Sequence, residues 1–128
     1  MYRLLALCLL APLCIVAAER PQISADALAA KLKSEAPPIV LDVRSDDEFA
    51  DGRIPAAKHV PFREVKKRHA ELKADKDREI VVYCQAGVRA AFAEKALRKL
   101  GYNKVVHLDG DWPAWRDGGH PVEKPAGD

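Results

Sequence analysis

Cysteine is scarce in this sequence and unevenly placed: of three, Cys8 and Cys14 fall in the first 14 residues and only Cys84 lies beyond them. A framework of disulfides within the body of the chain is therefore excluded. No second body cysteine exists to pair with Cys84 as a zinc ligand, and His59, His69, His107 and His120 lack ligand spacing. No metal or cofactor is expected, and each histidine reads as a surface or hydrogen-bonded core residue. Long apolar runs are also missing. The longest, Leu4 to Val16, is 13 residues, whereas a membrane-spanning helix takes roughly 20. Charge of one sign is missing too: 21 basic side chains face 19 acidic ones, so neither nucleic acid nor an acidic membrane surface is expected as a partner.

The short apolar run follows Arg3 and ends in Ala17-Ala18, the layout of a secretory signal peptide over residues 1–18. Cleavage after Ala18 places Val16 and Ala18 at the recognition positions and implies a periplasmic or secreted protein. Retention as an anchor, or lipidation at Cys14 or Cys8, is the alternative. Leu13 and Leu7 precede those cysteines where a lipidation signal needs a small residue. Residues 19–128 then form one domain with a core at about 22–123, and nothing demands a dimer, so a monomer is expected. An unpaired thiol in an oxidising compartment is prone to oxidation. Cys84 is thus either buried and inert or put to use.

What is present alternates between strand and helix. Ser24 can cap a helix whose apolar positions are Ala25, Leu28, Ala29 and Leu32. Residues 39–43 form an apolar run interrupted by Asp42, a strand buried on both faces whose acid needs a partner. Ser45 and Glu48 make a capping box for a short helix to about Ala50. His59-Val60-Pro61 reads as a very short strand, and residues 63–72 as a charged helix with Val65 and Leu72 inward. Residues 79–84 form a second apolar strand ending in Cys84, and a helix starts near Arg89 with Gly101 at its end. Residues 104–108 are a strand and 111–117 a last helix, with Trp112 and Trp115 as packing residues. This order predicts an α/β domain with a mostly parallel central sheet flanked by helices.

In such sheets, sites form at the carboxyl ends of strands, where Cys84 stands. Gly87 allows a tight loop whose amides converge, the following helix adds its positive end, and Arg89 adds a full charge. All three favour a thiolate and an anion beside it. That suits attack on the outer sulfur of an anion such as thiosulfate, with the sulfur retained as a persulfide.

Residues 38–122 resemble the single-domain rhodanese family, in its periplasmic type. The features that carry the resemblance are Leu41-Asp42-Val43-Arg44, Asp51 to Ala57, the loop Cys84-Gln85-Ala86-Gly87-Val88-Arg89, Leu108-Asp109-Gly110, Trp115 and Pro121-Val122. The resemblance implies a rhodanese-like fold and a thiosulfate sulfurtransferase. Cys84 would carry sulfur to a thiophilic acceptor such as cyanide, residues 85–89 (Gln85, Ala86, Gly87, Val88 and Arg89) would bind the substrate, and small-molecule donor and acceptor would be the partners. Asp42 and Arg44 match a strand-end acid and base and read as an ion pair supporting the loop. Three positions depart from the family: Arg53 for histidine, Ala56 for glycine, and Asp111 for a second glycine after Gly110, where it could set a negative charge near the anion site. Two other readings stay open. One is a non-enzymatic binding module. The other is a phosphatase or arsenate reductase, whose loops place five residues between cysteine and arginine where this chain has four.

Overall fold

The computed structural model describes residues 20–125; the predicted signal peptide, with Cys8 and Cys14, lies outside them. Five parallel strands, β1 (Gln22–Ile23), β2 (Ile39–Asp42), β3 (Lys58–His59), β4 (Glu79–Tyr83) and β5 (Lys104–Leu108), form one sheet in the order β1-β5-β4-β2-β3. The helices are α1 (Ala25–Leu32), α2 (Asp46–Asp51), α3 (Val65–Arg68), α4 (Val88–Lys99) and α5 (Asp111–Asp117).

Parallel pairing requires crossovers, and these cover both faces, so the central strands are largely apolar rather than alternating. Every residue of β2 is buried, as are Ile80 to Tyr83 of β4. Side-chain alternation sends Ile80, Val82 and Cys84 to one core with Val65, Leu72, Ala93 and Leu97, and Val81 and Tyr83 to the other with Leu28, Ile54, Leu108 and Trp115. The first core lies under α3 and α4, the second under α1 and α5.

Local signals account for the helix starts. Ser24 accepts from the Ala27 amide at 3.1 Å, and the capping box at α2 is complete: the Glu48 amide donates to Ser45 and Glu48 accepts from the Ser45 amide. At the end of α4, Gly101 takes φ +98 beyond the last helical turn.

Two elements differ from expectation. Residues 63–72 do not form one helix; a 3-10 turn at Phe62–Glu64, the single turn of α3 and a second 3-10 turn at His69–Leu72 follow one another. The entry is pinned, since the Phe62 amide donates to the Val43 carbonyl at the sheet edge, and Lys73 ends the run at φ +50. Val65 and Leu72 still point inward, each 1% exposed. Strand β1 carries no sequence signal of its own. It exists because β5 presents an open edge, to which Gln22 and Ile23 pair opposite His107 and Leu108.

Candidate active site

The strand order reverses beside β2: β3 lies on one side of it and β4 on the other. Ligand sites in open parallel sheets form at such a point, outside the carboxyl ends of the strands. Asp42 ends β2 and Cys84 follows Tyr83, the last residue of β4.

Cys84 is 1% exposed. Its Sγ accepts from the Gly87 amide at 3.0 Å and the Ala90 amide at 3.4 Å. Gly87 is the N-cap of α4 and has φ +95, a conformation that costs a residue with a Cβ on the order of 1 kcal/mol. It offers no side chain to cap the helix. The cysteine sulfur takes that place, accepting from the third helical amide as a capping oxygen would, and so sits at the positive end of a twelve-residue helix. The cysteine main chain is held as well: its N–H donates to Asp111 Oδ1 at 3.0 Å and its carbonyl accepts from the Trp112 amide at 3.0 Å.

Asp42 and Arg44 form the expected pair, 0% and 2% exposed. The Arg44 guanidinium donates to Asp42 from Nε and Nη2, the shortest contact being 2.7 Å, and Nη2 also donates to the Gly52 carbonyl at 2.7 Å. Its carbon lies 4.7 Å from the Trp112 ring centre and 5.4 Å from that of Tyr83. The pair ties the end of β2 to the loop after α2 and to the Tyr83 and Trp112 rings of the second core.

Arg89, on the first turn of α4, is engaged with Glu48 of α2, Nη1 to Oε1 at 2.6 Å and Nη2 to Oε2 at 2.9 Å. The Arg89 hydrogen bonds, outweighing burial and helped by Ser45, lower the Glu48 carboxyl from 4.5 to about 2. Glu48 was legible in the sequence only as a capping residue. Its partner is 41 positions away, a distance that no local pattern spans.

The Ala90 amide, just beyond the expected loop 84–89, is a second unforeseen element, as is a buried cluster beside the loop. His107 of β5 faces Glu94 of α4 through Nδ1 at 3.0 Å and Asp111 of α5 through Nε2 at 3.1 Å. Asp111 does stand next to the sulfur-bearing loop: a Cβ built on Gly87 would lie 3.2 Å from its Oδ2. Of the other departures, Ala56 has φ +64, and Arg53 lies over the Phe49 ring and pairs with Glu123 at 3.1 Å. A surface recess of ≈ 700 Å³ opens beside the loop, lined by Arg20, Ala86, Gly87, Val88, His107 and Asp111 among others.

Comparison with known proteins agrees with this geometry. A sulfurtransferase of Allochromatium vinosum is 33% identical over 106 residues, 83% of this chain and 97% of the relative. The rhodanese-like domain of a protein from Anabaena sp. superposes with a TM-score of 0.75 at 30% identity, covering 84% of this chain and 81% of that one. A Rhodopseudomonas palustris protein of unknown function, described as a possible tyrosine phosphatase, gives a TM-score of 0.72 at 27% identity over 81% of this chain and 85% of its own. The family model for the rhodanese-like domain matches residues 24–117, and with these relatives it places the chain in the rhodanese family.

Proposed function

We propose that the protein is a sulfurtransferase in which Cys84 carries a sulfane sulfur from thiosulfate, or a donor like it, to a thiophilic acceptor. The observation that supports this reading most directly is the Cys84 sulfur held as an acceptor by the Gly87 and Ala90 amides at the N-terminus of α4. Such a cradle stabilises a thiolate, and it stabilises a persulfide by the same means. The thiolate attacks the outer sulfur of thiosulfate, the sulfur–sulfur bond breaks with its electron pair going to sulfite, and the cysteine keeps a persulfide anion. A nucleophile such as cyanide then takes the terminal sulfur, leaving as thiocyanate and returning the thiolate. Charge is conserved in both steps and no proton moves. That accords with a sulfur whose hydrogen-bond donors are main-chain amides.

Arg89 supplies a cation at the mouth of this loop for the donor's sulfonate end, and Asp42 and Arg44 support the loop without touching the reacting atoms. The spacing of four residues between Cys84 and Arg89 favours sulfur over phosphate transfer, because a phosphoryl group needs the wider cradle. We place the reaction in the periplasm or outside the cell, on the strength of the leader in residues 1–18.

Intact mass of the exported protein, before and after thiosulfate and then cyanide, tests the reading. The expected result is a gain of about one sulfur atom that cyanide removes with thiocyanate released, on a chain beginning at Glu19, and no gain in Cys84→Ser. Sulfur transfer retained by Cys84→Ser would overturn the mechanism. Turnover of a phosphate or arsenate substrate without any mass change would move the protein to the other reaction class.

A further inference from the structure

His107 is 4% exposed, and each of its ring nitrogens faces a carboxylate oxygen, Glu94 Oε2 at 3.0 Å and Asp111 Oδ2 at 3.1 Å. An ionised carboxylate only accepts hydrogen bonds, so two such partners need a hydrogen on both nitrogens, which is the imidazolium. Glu94, 0% exposed, is closed on its far side by Arg20, at 2.7 Å through Nε and 2.5 Å through Nη2. Arg20 reaches on to the Gly87 carbonyl at 3.4 Å. The other oxygen of Asp111 accepts the Cys84 N–H. A file of alternating charges, Arg20, Glu94, His107 and Asp111, thus draws on four parts of the chain and ends on the amide of the nucleophile.

Asp111 sits at φ +54, where glycine would be relaxed but would bring no carboxylate. Strain of this kind persists where the surroundings hold it, and here two hydrogen bonds do so. We propose that Asp111 and His107 are positioning residues for the chemistry at Cys84: Asp111 fixes the cysteine main chain, and His107 cancels the negative charge that Asp111 would otherwise set beside a sulfur anion. The inference rests on the reading of Cys84 as the sulfur carrier.

The charged groups around His107 are Glu94 and the more distant Arg98 from α4, Asp111 from α5, Arg20 before β1, and Cys84 beyond β4, with Lys95 and Asp109 lining the adjoining recess. Burial alone would lower the imidazole, but the hydrogen bonds to Asp111 and Glu94 outweigh it and raise His107 to about 9. The file is therefore neutral at pH 7 and acquires a negative charge above about pH 9. His107→Gln creates that negative charge already at pH 7. Asp111→Asn added to it removes the charge again and keeps an acceptor for the Cys84 amide.

The experiment measures kcat/KM for thiosulfate against pH in wild type, His107→Gln, Asp111→Asn and the double variant, with the Cys84 amide followed by 15N–1H NMR. His107→Gln is expected to lose roughly tenfold in kcat/KM at pH 7, the double variant to recover most of it, and wild type to lose activity above about pH 9. Asp111→Asn alone should abolish that alkaline fall, so the claim stays testable even if His107→Gln does not fold. The Cys84 amide resonance should titrate with His107 in wild type and stay still in His107→Gln. A His107→Gln enzyme as active as wild type, a double variant no better than the single, an alkaline fall that persists in Asp111→Asn, or a Cys84 amide indifferent to His107 would each overturn the proposal. If wild type takes up no sulfur at all, the carrier reading is what fails, and the NMR titration still decides whether the file grips Cys84.

Discussion

Replacing Glu48 with Gln tests the proposed role of Arg89 in binding the donor anion. The Arg89 guanidinium spends both terminal nitrogens on Glu48, at 2.6 and 2.9 Å, so an anion that takes Arg89 must compete with a carboxylate. The drop of the Glu48 carboxyl from 4.5 to about 2 corresponds to about 3 kcal/mol if credited in full. The two side chains are 29% and 33% exposed, however, and water screens such a pair, leaving about 1 kcal/mol. Glutamine keeps the capping acceptor at the third position of α2, so the fold is retained while the competing charge is removed. The expected outcome in a thiosulfate assay is a KM lower by roughly fivefold with kcat changed less than about twofold. The same substitution in an Arg89→Ala background should do nothing, as a cycle through a shared partner requires. Because the folded value of Glu48 is depressed, its pairing is complete above about pH 4.5 and is lost only as pH falls toward 2, so the advantage should be constant from about pH 5 upward. A KM that rises in Glu48→Gln would refute the reasoning and show that Glu48 aims Arg89 instead of occupying it.

Arg44→Met leaves the Asp42 carboxylate at 0% exposure without its partner, and urea unfolding should show a loss of about 3–5 kcal/mol, largely recovered by adding Asp42→Asn; a loss near zero would mean that water reaches the site. Gly87→Ala forces a side chain into φ +95 and to 3.2 Å from Asp111 Oδ2, so sulfur uptake measured by mass should slow by about tenfold or more as the Gly87 amide leaves the sulfur, and an unchanged rate would count against the cradle. The raised value of His107 sets a pH dependence of stability: its contribution is complete below the ordinary 6.5 and is lost as pH rises through about 9. Wild type should therefore lose on the order of 2 to 3 kcal/mol more than His107→Gln between pH 6 and pH 10 in denaturant titrations.

Much of the architecture was readable because the signals were local. The apolar runs at 39–43 and 79–84, the serine caps before α1 and α2, and Gly101 after α4 each specify their element from within a few residues. Strand β1 and the broken segment 62–72 were not readable, since one depends on the edge of β5 and the other on a bond from Phe62 to Val43. The site divides in the same way. Cys84, Gly87 and the start of α4 lie within one loop, and the Asp42–Arg44 pair within three residues. Glu48 against Arg89, and Glu94 and Asp111 against His107, join elements that meet only in the folded chain. Ala56 and Asp111, where the resemblance led glycine to be expected, both have positive φ in the structure, +64 and +54. At Asp111 that backbone is held by two hydrogen bonds of the side chain, from the Cys84 amide and to His107.

The pairing of β1 with β5 also governs the order of assembly. Gln22 and Ile23 come first among the strands in sequence, yet among the described residues their strand partners are His107 and Leu108 of β5, the last strand to be made. The sheet edge, and with it the approach of Arg20 to Gly87 and Glu94, cannot close until β5 is available. Closing so long a loop is a late event in folding. During synthesis the cysteine is therefore made before the last part of its surroundings can dock beside the loop.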